Sequence, residues 1–177
     1  SPSWGMTQGR ENCFPSGAAA PCEVSLSQIA RLQSGDSVSA LLGVLERDGV
    51  AIVERAADSE TLGRVQADLD PWFHAAFHGN GLFFGKNTRR FGGLFAKAPS
   101  AAALALHPLV LEATETLLLG PAETPHCDVV ELNLAQAIGI EPGEKPQVLH
   151  RDVDLWPWRP PFDVRVNVMW SLDEFTI

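Results

Sequence analysis

The hydrophobic period changes partway along this chain, and that change limits the folds open to it. Up to about Gly120 the apolar residues recur at helical spacing, and from Asp128 they recur at every second position. Val130, Leu132, Leu134, Gln136 and Ile138 line one face of the later stretch, and Glu131, Asn133, Ala135 and Ala137 line the other. Val164, Val166, Val168 and Trp170 repeat the pattern against Arg165, Asn167, Met169 and Ser171. Helices first and antiparallel-looking strands afterwards predict an α+β domain, with a sheet that would form half of a barrel or sandwich.

Residues 1–24 carry Pro2, Gly5, Gly9, Pro15, Gly17 and Pro21 without an apolar period, which predicts a flexible N-terminal arm. Residues 25–177 are expected to form the domain. Ser25 is placed to cap a short helix through Leu26, Ile29 and Leu32, ended by Gly35-Asp36. Ser37 is placed to cap a second helix through Leu41, Leu42, Val44 and Leu45, with Gly49 at its C-terminus. Val50 to Val53 then predicts a buried strand. Asp58 or Ser59 opens a helix through Leu62, Val65 and Leu69, which Pro71 is expected to kink or end. Pro108 and Gly120 bracket a helix over Leu109 to Leu119.

The chain has 177 residues, 45% of them apolar, enough for one domain with a core. Its net charge of −9 argues against a nucleic-acid partner or an anionic membrane surface. No apolar run approaches the roughly 20 residues that span a bilayer. No signal peptide is visible, so a cytoplasmic location is expected. Cys13, Cys22 and Cys127 are too few and too scattered for a disulfide framework or a zinc knuckle. Lys86, Arg89, Arg90 and Lys97 bring four of the thirteen basic residues into twelve positions. That cluster suits a clamp for a carboxylate- or phosphate-bearing ligand, with Thr88 and Arg90 adding hydrogen bonds, or else a solvated loop. His74 and His78 are spaced for a helical metal pair, but Ala75-Ala76-Phe77 between them supplies no base.

Gln147-Val148-Leu149-His150-Arg151-Asp152 carries the sharpest chemistry. On a strand, residues two apart share a face, so the His150 imidazole and the Asp152 carboxylate would point the same way. Two ligands of a 2-His-1-carboxylate iron site need such a placement. Gln147-x-Leu149-His150-x-Asp152, the following Trp156-Pro157, and Val168-Met169-Trp170-Ser171-Leu172-Asp173-Glu174-Phe175-Thr176 together resemble the phytanoyl-CoA dioxygenase family. The resemblance covers roughly residues 45–177.

The resemblance implies a non-haem Fe(II), 2-oxoglutarate-dependent oxygenase that oxidises a small organic substrate with O2. It implies a double-stranded β-helix, a jelly-roll or cupin-like barrel with N-terminal helices, only part of which is present. His150 and Asp152 match the first two iron ligands. Gln147, Trp170, Thr88, Arg90 and, on the preceding strand, Asn133 correspond more loosely to the co-substrate pocket. The family's second iron histidine and its carboxylate-gripping arginine come after Trp170, beyond a loop. Ser1 opens the chain with Met6 inside it, and Ile177 follows directly on an expected strand. The chain is therefore expected to be truncated before the second histidine and inactive alone.

Other assignments fare differently. His150-Arg151-Asp152 also spells the protein-kinase catalytic triplet, but Pro157 stands where that signature needs an asparagine. A cupin-like metal isomerase would need more histidines nearby. A barrel-type module that binds a ligand or partner without iron chemistry remains the alternative.

Overall fold

The computed structural model describes residues 29–148, 150, 152–155, 157 and 160–174. The expected N-terminal arm and the Ser25 cap lie outside these residues, as do Trp156, Trp158 and Phe175-Thr176. The described residues form an α+β arrangement with two small sheets and no closed barrel.

The first sheet pairs β1 (Arg31–Gln33) with β2 (Ile52–Glu54) in parallel, Leu32 opposite Val53, and α1 (Val38–Asp48) crosses between them. Leu32 therefore belongs to a strand, not to the short helix expected from its spacing. A three-residue strand has no local signature; its partner β2, twenty residues on, creates it. The α1 boundaries follow the predicted chemistry. Ser37 Oγ accepts the Ala40 amide at 3.2 Å, and Gly49 closes the helix with φ at 73°.

The long helix α2 (Ser59–Ala75) starts at Asp58, whose Oδ1 accepts the Thr61 amide at 2.7 Å. It runs through Pro71 to Ala75 instead of ending there. Ala67, whose carbonyl loses its helical donor, and Pro71 are both exposed, so water can take that carbonyl. The short α3 (Gly81–Phe84) leads to β3 (Thr88–Gly92), and α4 (Leu94–Lys97), a 3-10 turn over Pro99–Ala101 and α5 (Ala102–Ala105) follow. Pro108 opens α6 (Pro108–Leu119) and Gly120 ends it, as the sequence predicts.

The second sheet pairs β3 with β4 (Gln136–Ile140) antiparallel, Thr88 opposite Ile140 and Gly92 opposite Gln136. The alternation that begins at Asp128 thus becomes strand only over its last part. Among the described residues of 144–150 and 163–170 no strand forms, and Asp152–Leu155 is a 3-10 turn. Alternation marks a stretch that can be a strand, but a ladder needs a neighbour. Among the described residues β3 has β4 as its partner and these stretches have none.

Val65 and Leu69 on α2 are 2% and 3% exposed and form the centre of the core with Ala98, Ala101, Leu104 and Ala137. Phe73, Phe91, Leu94, Phe95, Trp170 and Leu172 close around them. Burying a side chain the size of valine or leucine stabilises the fold by about 1.5–3 kcal/mol. The core thereby fixes α2 under β4 and draws the 170–172 segment onto the same face. Gln66 Nε2 reinforces this by donating to Leu172 O at 2.8 Å. Among the described residues, no single helix is long and apolar enough to cross a membrane.

Candidate active site

The connection after β4 is tied to the turn before β3. Glu144 Oε2 accepts the Asn87 amide at 2.6 Å and the Thr88 hydroxyl at 2.9 Å, and its Oε1 accepts the Lys145 amide at 2.9 Å. Partial burial pushes this carboxyl upward. The amides of Lys145, Asn87 and Lys86 with the Thr88 hydroxyl outweigh that and hold it below the ordinary glutamate value. Three residues on, Gln147 Nε2 donates to Phe83 O at 2.5 Å. Two ties thus fix the segment that leads to His150.

His150 and Asp152 do not lie on a regular strand, yet they face each other. His150 Nδ1 donates to Val148 O at 2.8 Å, a contact in which the carbonyl can only accept. In the neutral imidazole that puts the proton on Nδ1 and leaves Nε2 as the coordinating atom, 3.6 Å from Asp152 Oδ1. Asp152 Oδ2 is occupied: Asn167 Nδ2 donates to it at 2.7 Å, and Arg165 Nη1 lies 3.5 Å away. Both acceptors remain partly open to solvent. One imidazole nitrogen and one carboxylate oxygen, each freed by a partner on its other atom, suit a borderline divalent ion such as Fe(II). Among the described residues no third histidine, cysteine or carboxylate completes a metal cluster with them.

The residues expected around the co-substrate divide into groups. Asn133 reaches the pair through Arg165, whose Nη2 donates to Asn133 Oδ1 at 2.8 Å. Arg90 and Gln147 meet at α3. The Phe83 ring lies 5.1 Å from the His150 ring, and Phe84, stacked edge-on against Phe83, carries the Arg90 guanidinium at 5.5 Å. Among the described residues, Arg90 Nε is enclosed without a hydrogen-bond partner. Thr88, 3% exposed, gives its hydroxyl to Glu144. Trp170 packs on the core, its ring 5.5 Å from that of His107.

The remaining histidines are engaged elsewhere. His74 lies in the last turn of α2 with Nδ1 on Asp70 O, and His78 falls beyond the helix against Glu141 at 3.0 Å, so helical spacing does not join them. His107 Nε2 donates to Ala56 O at 3.0 Å, and His126 stacks on Phe162. Glu144 and Phe83, which hold the segment before His150, and Arg165 and Asn167, which contact Asp152, are residues that motif reasoning did not single out. For Arg165 and Asn167 a signal existed, two hydrogen-bonding side chains adjacent on the polar face of an otherwise apolar alternation.

The family described as phytanoyl-CoA dioxygenase (PhyH) matches the chain over residues 45–177. Among curated proteins, the chain is similar to "Dioxygenase olcK" of Penicillium canescens, 28% identical over 145 residues that make up 75% of this chain and 46% of the relative. "Dioxygenase cdmA" of Talaromyces verruculosus is 25% identical over 164 residues, 84% of this chain and 54% of the relative. "Dioxygenase aneA" of Aspergillus aculeatus is 28% identical over 164 residues, 85% and 53% respectively. The chain spans about half the length of these relatives.

Proposed function

The chain belongs to the phytanoyl-CoA dioxygenase family, and on that premise we propose that it carries the His150–Asp152 half of an Fe(II)/2-oxoglutarate-dependent dioxygenase acting on a small organic substrate. The observation that carries the proposal is the facing pair His150 Nε2 and Asp152 Oδ1, 3.6 Å apart, with the other donor atom of each side chain already bonded. In this reading a further ligand comes from outside the described residues, and the small sheets belong to a double-stranded β-helix.

Bound there, Fe(II) would supply the activation of O2, coupled to oxidative decarboxylation of 2-oxoglutarate. The chain's own side chains do the rest. Val148 O holds the imidazole in the tautomer whose Nε2 can coordinate. Asn167 and Arg165 hold the carboxylate by its second oxygen. Arg90, cationic and with Nε unpartnered, is the group among the proposed pocket residues suited to a co-substrate carboxylate, and the Phe84 ring steadies it. Phe83 places an apolar wall against His150. Arg90, Gln147, Thr88, Asn133 and Trp170 remain the proposed co-substrate residues.

The test is succinate formation from 2-oxoglutarate by the full-length protein with Fe(II), O2 and a panel of small organic substrates. Turnover that requires Fe(II) and disappears in Asp152→Ala supports the proposal. Co-substrate consumption unaffected by that substitution, or none in a protein that still binds small ligands, would favour the binding module.

A further inference from the structure

Resting on the reading of His150 and Asp152 as metal ligands, we propose that Asn167, backed by Arg165, is a positioning residue that presents Asp152 to the metal through one oxygen only. Neither residue belongs to the motif that carries the site. They come from the extended segment before Trp170, where positions two apart share a face. Both reach the same atom: Asn167 Nδ2 is 2.7 Å and Arg165 Nη1 3.5 Å from Asp152 Oδ2. Arg165 is anchored at its other end, with Nη2 on Asn133 Oδ1 at 2.8 Å. The carboxylate is therefore gripped from one side by two donors drawn from the 165–167 segment and, through Arg165, from the 128–135 stretch. Oδ1 is left pointing at His150 Nε2.

The magnitudes favour orientation over stability. An ion pair this open to solvent adds little to folding. What the grip controls is denticity. A carboxylate free at both oxygens can close on a cation with both, taking one more coordination position. A facial triad serves its chemistry by leaving positions open for co-substrate and O2. An amide hydrogen bond on Oδ2 competes with that second contact. The imidazole receives matching treatment from Val148 O, so both donors have their non-coordinating atom occupied.

The experiment uses the full-length protein and Co(II) as an optical stand-in for Fe(II), with affinity read by titration and coordination by the visible d–d bands. Asn167 is exposed, so Asn167→Ala should leave the melting temperature of the metal-free protein unchanged. It should weaken Co(II) binding about tenfold to a hundredfold, the usual cost of losing such a partner, and shift the d–d bands towards higher coordination. Arg165→Gln keeps an amide near Asn133 but removes the charge. It should lower the affinity less, with a band shift of the same sense. Wild-type affinity in both variants, or weaker binding with unchanged bands, would overturn the positioning role. Asp152→Ala separates the two levels: if it binds Co(II) as the wild type does, the metal-site reading itself fails.

Discussion

Glu144 and Thr88, 56 positions apart in the chain, share a 2.9 Å hydrogen bond under which the threonine is almost wholly enclosed. The same carboxylate takes the Asn87 and Lys145 amides. It thereby latches the connection after β4 to the start of β3, three residues before Gln147. The carboxylate form is the one that accepts all these donors, and its pKa in the fold is depressed below the unfolded value. The latch therefore contributes stability that is present above the unfolded glutamate pKa of about 4.3 and lost as pH falls through the lower folded value. Urea midpoints of wild type and Glu144→Gln should differ near neutral pH and converge in acid. A gap that stays constant from pH 7 to pH 3 would contradict the latch.

Gly85 sits against that carboxylate with φ at 80° and ψ at 136°, a backbone region that is essentially glycine's own. A Cβ built there would meet Glu144 Oε2 at 2.4 Å and Thr88 Oγ1 at 2.5 Å. Gly85→Ala should cost about 1–3 kcal/mol from the backbone conformation alone, with the clash added to it. Gly43, on α1 with nothing within 4 Å of such a Cβ, is the control. Gly43→Ala should stabilise the protein by a few tenths of a kcal/mol to about 1. Equal denaturation midpoints for the two variants would refute this account.

The parts of the fold legible in the sequence are those whose hydrogen bonds close within a few residues. Ser37 and Gly49 frame α1, Asp58 opens α2, and Pro108 and Gly120 frame α6, because caps and turns are local chemistry. Leu32 was open to misassignment because only β2 makes it a strand. The alternations at 128–135 and 163–170 show which residues could share a face, not whether a partner strand lies alongside. The site divides in the same way. His150 and Asp152 stand out because their spacing carries chemistry, and the structure turns them towards each other without the regular strand that the spacing suggested. Glu144 and Asn167 are single polar residues whose partners lie 56 and 15 positions away. The polar face of the 164–170 alternation marks Asn167 as a candidate, but no local pattern names its partner, and none marks Glu144 at all.

Leu69, 3% exposed at the centre of the core, anchors α2 in a cluster with Leu104 and with Ala98, Ala101 and Ala137, three side chains too small to close a gap. Leu69→Ala should therefore leave a cavity and cost about 2–5 kcal/mol. Val65→Ala removes less and should cost less. Urea denaturation followed by far-ultraviolet circular dichroism measures both. A Leu69→Ala loss below about 1 kcal/mol would mean that the helix can collapse onto the gap, contrary to the close packing of such interiors.

Two acids follow His150 in the chain, and only one is expected to matter for the metal. The sequence favours Asp152, because on a strand Asp154 would lie about 13 Å from His150 at Cα, too far to share one ion comfortably. The structure replaces that strand with a 3-10 turn over Asp152–Leu155, which changes the argument. Asp152 Oδ1 stands 3.6 Å from His150 Nε2, and its other oxygen is held by Asn167. Two such donors need only a small inward adjustment to meet one cation at about 2.0–2.2 Å. In the full-length protein, Asp152→Ala should abolish detectable Fe(II) binding, measured by anaerobic titration. Asp154→Ala should change the dissociation constant less than about threefold, well under the tenfold that even an indirect metal partner costs. Loss of the metal in Asp154→Ala with retention in Asp152→Ala would move the site along the chain and undo the assignment.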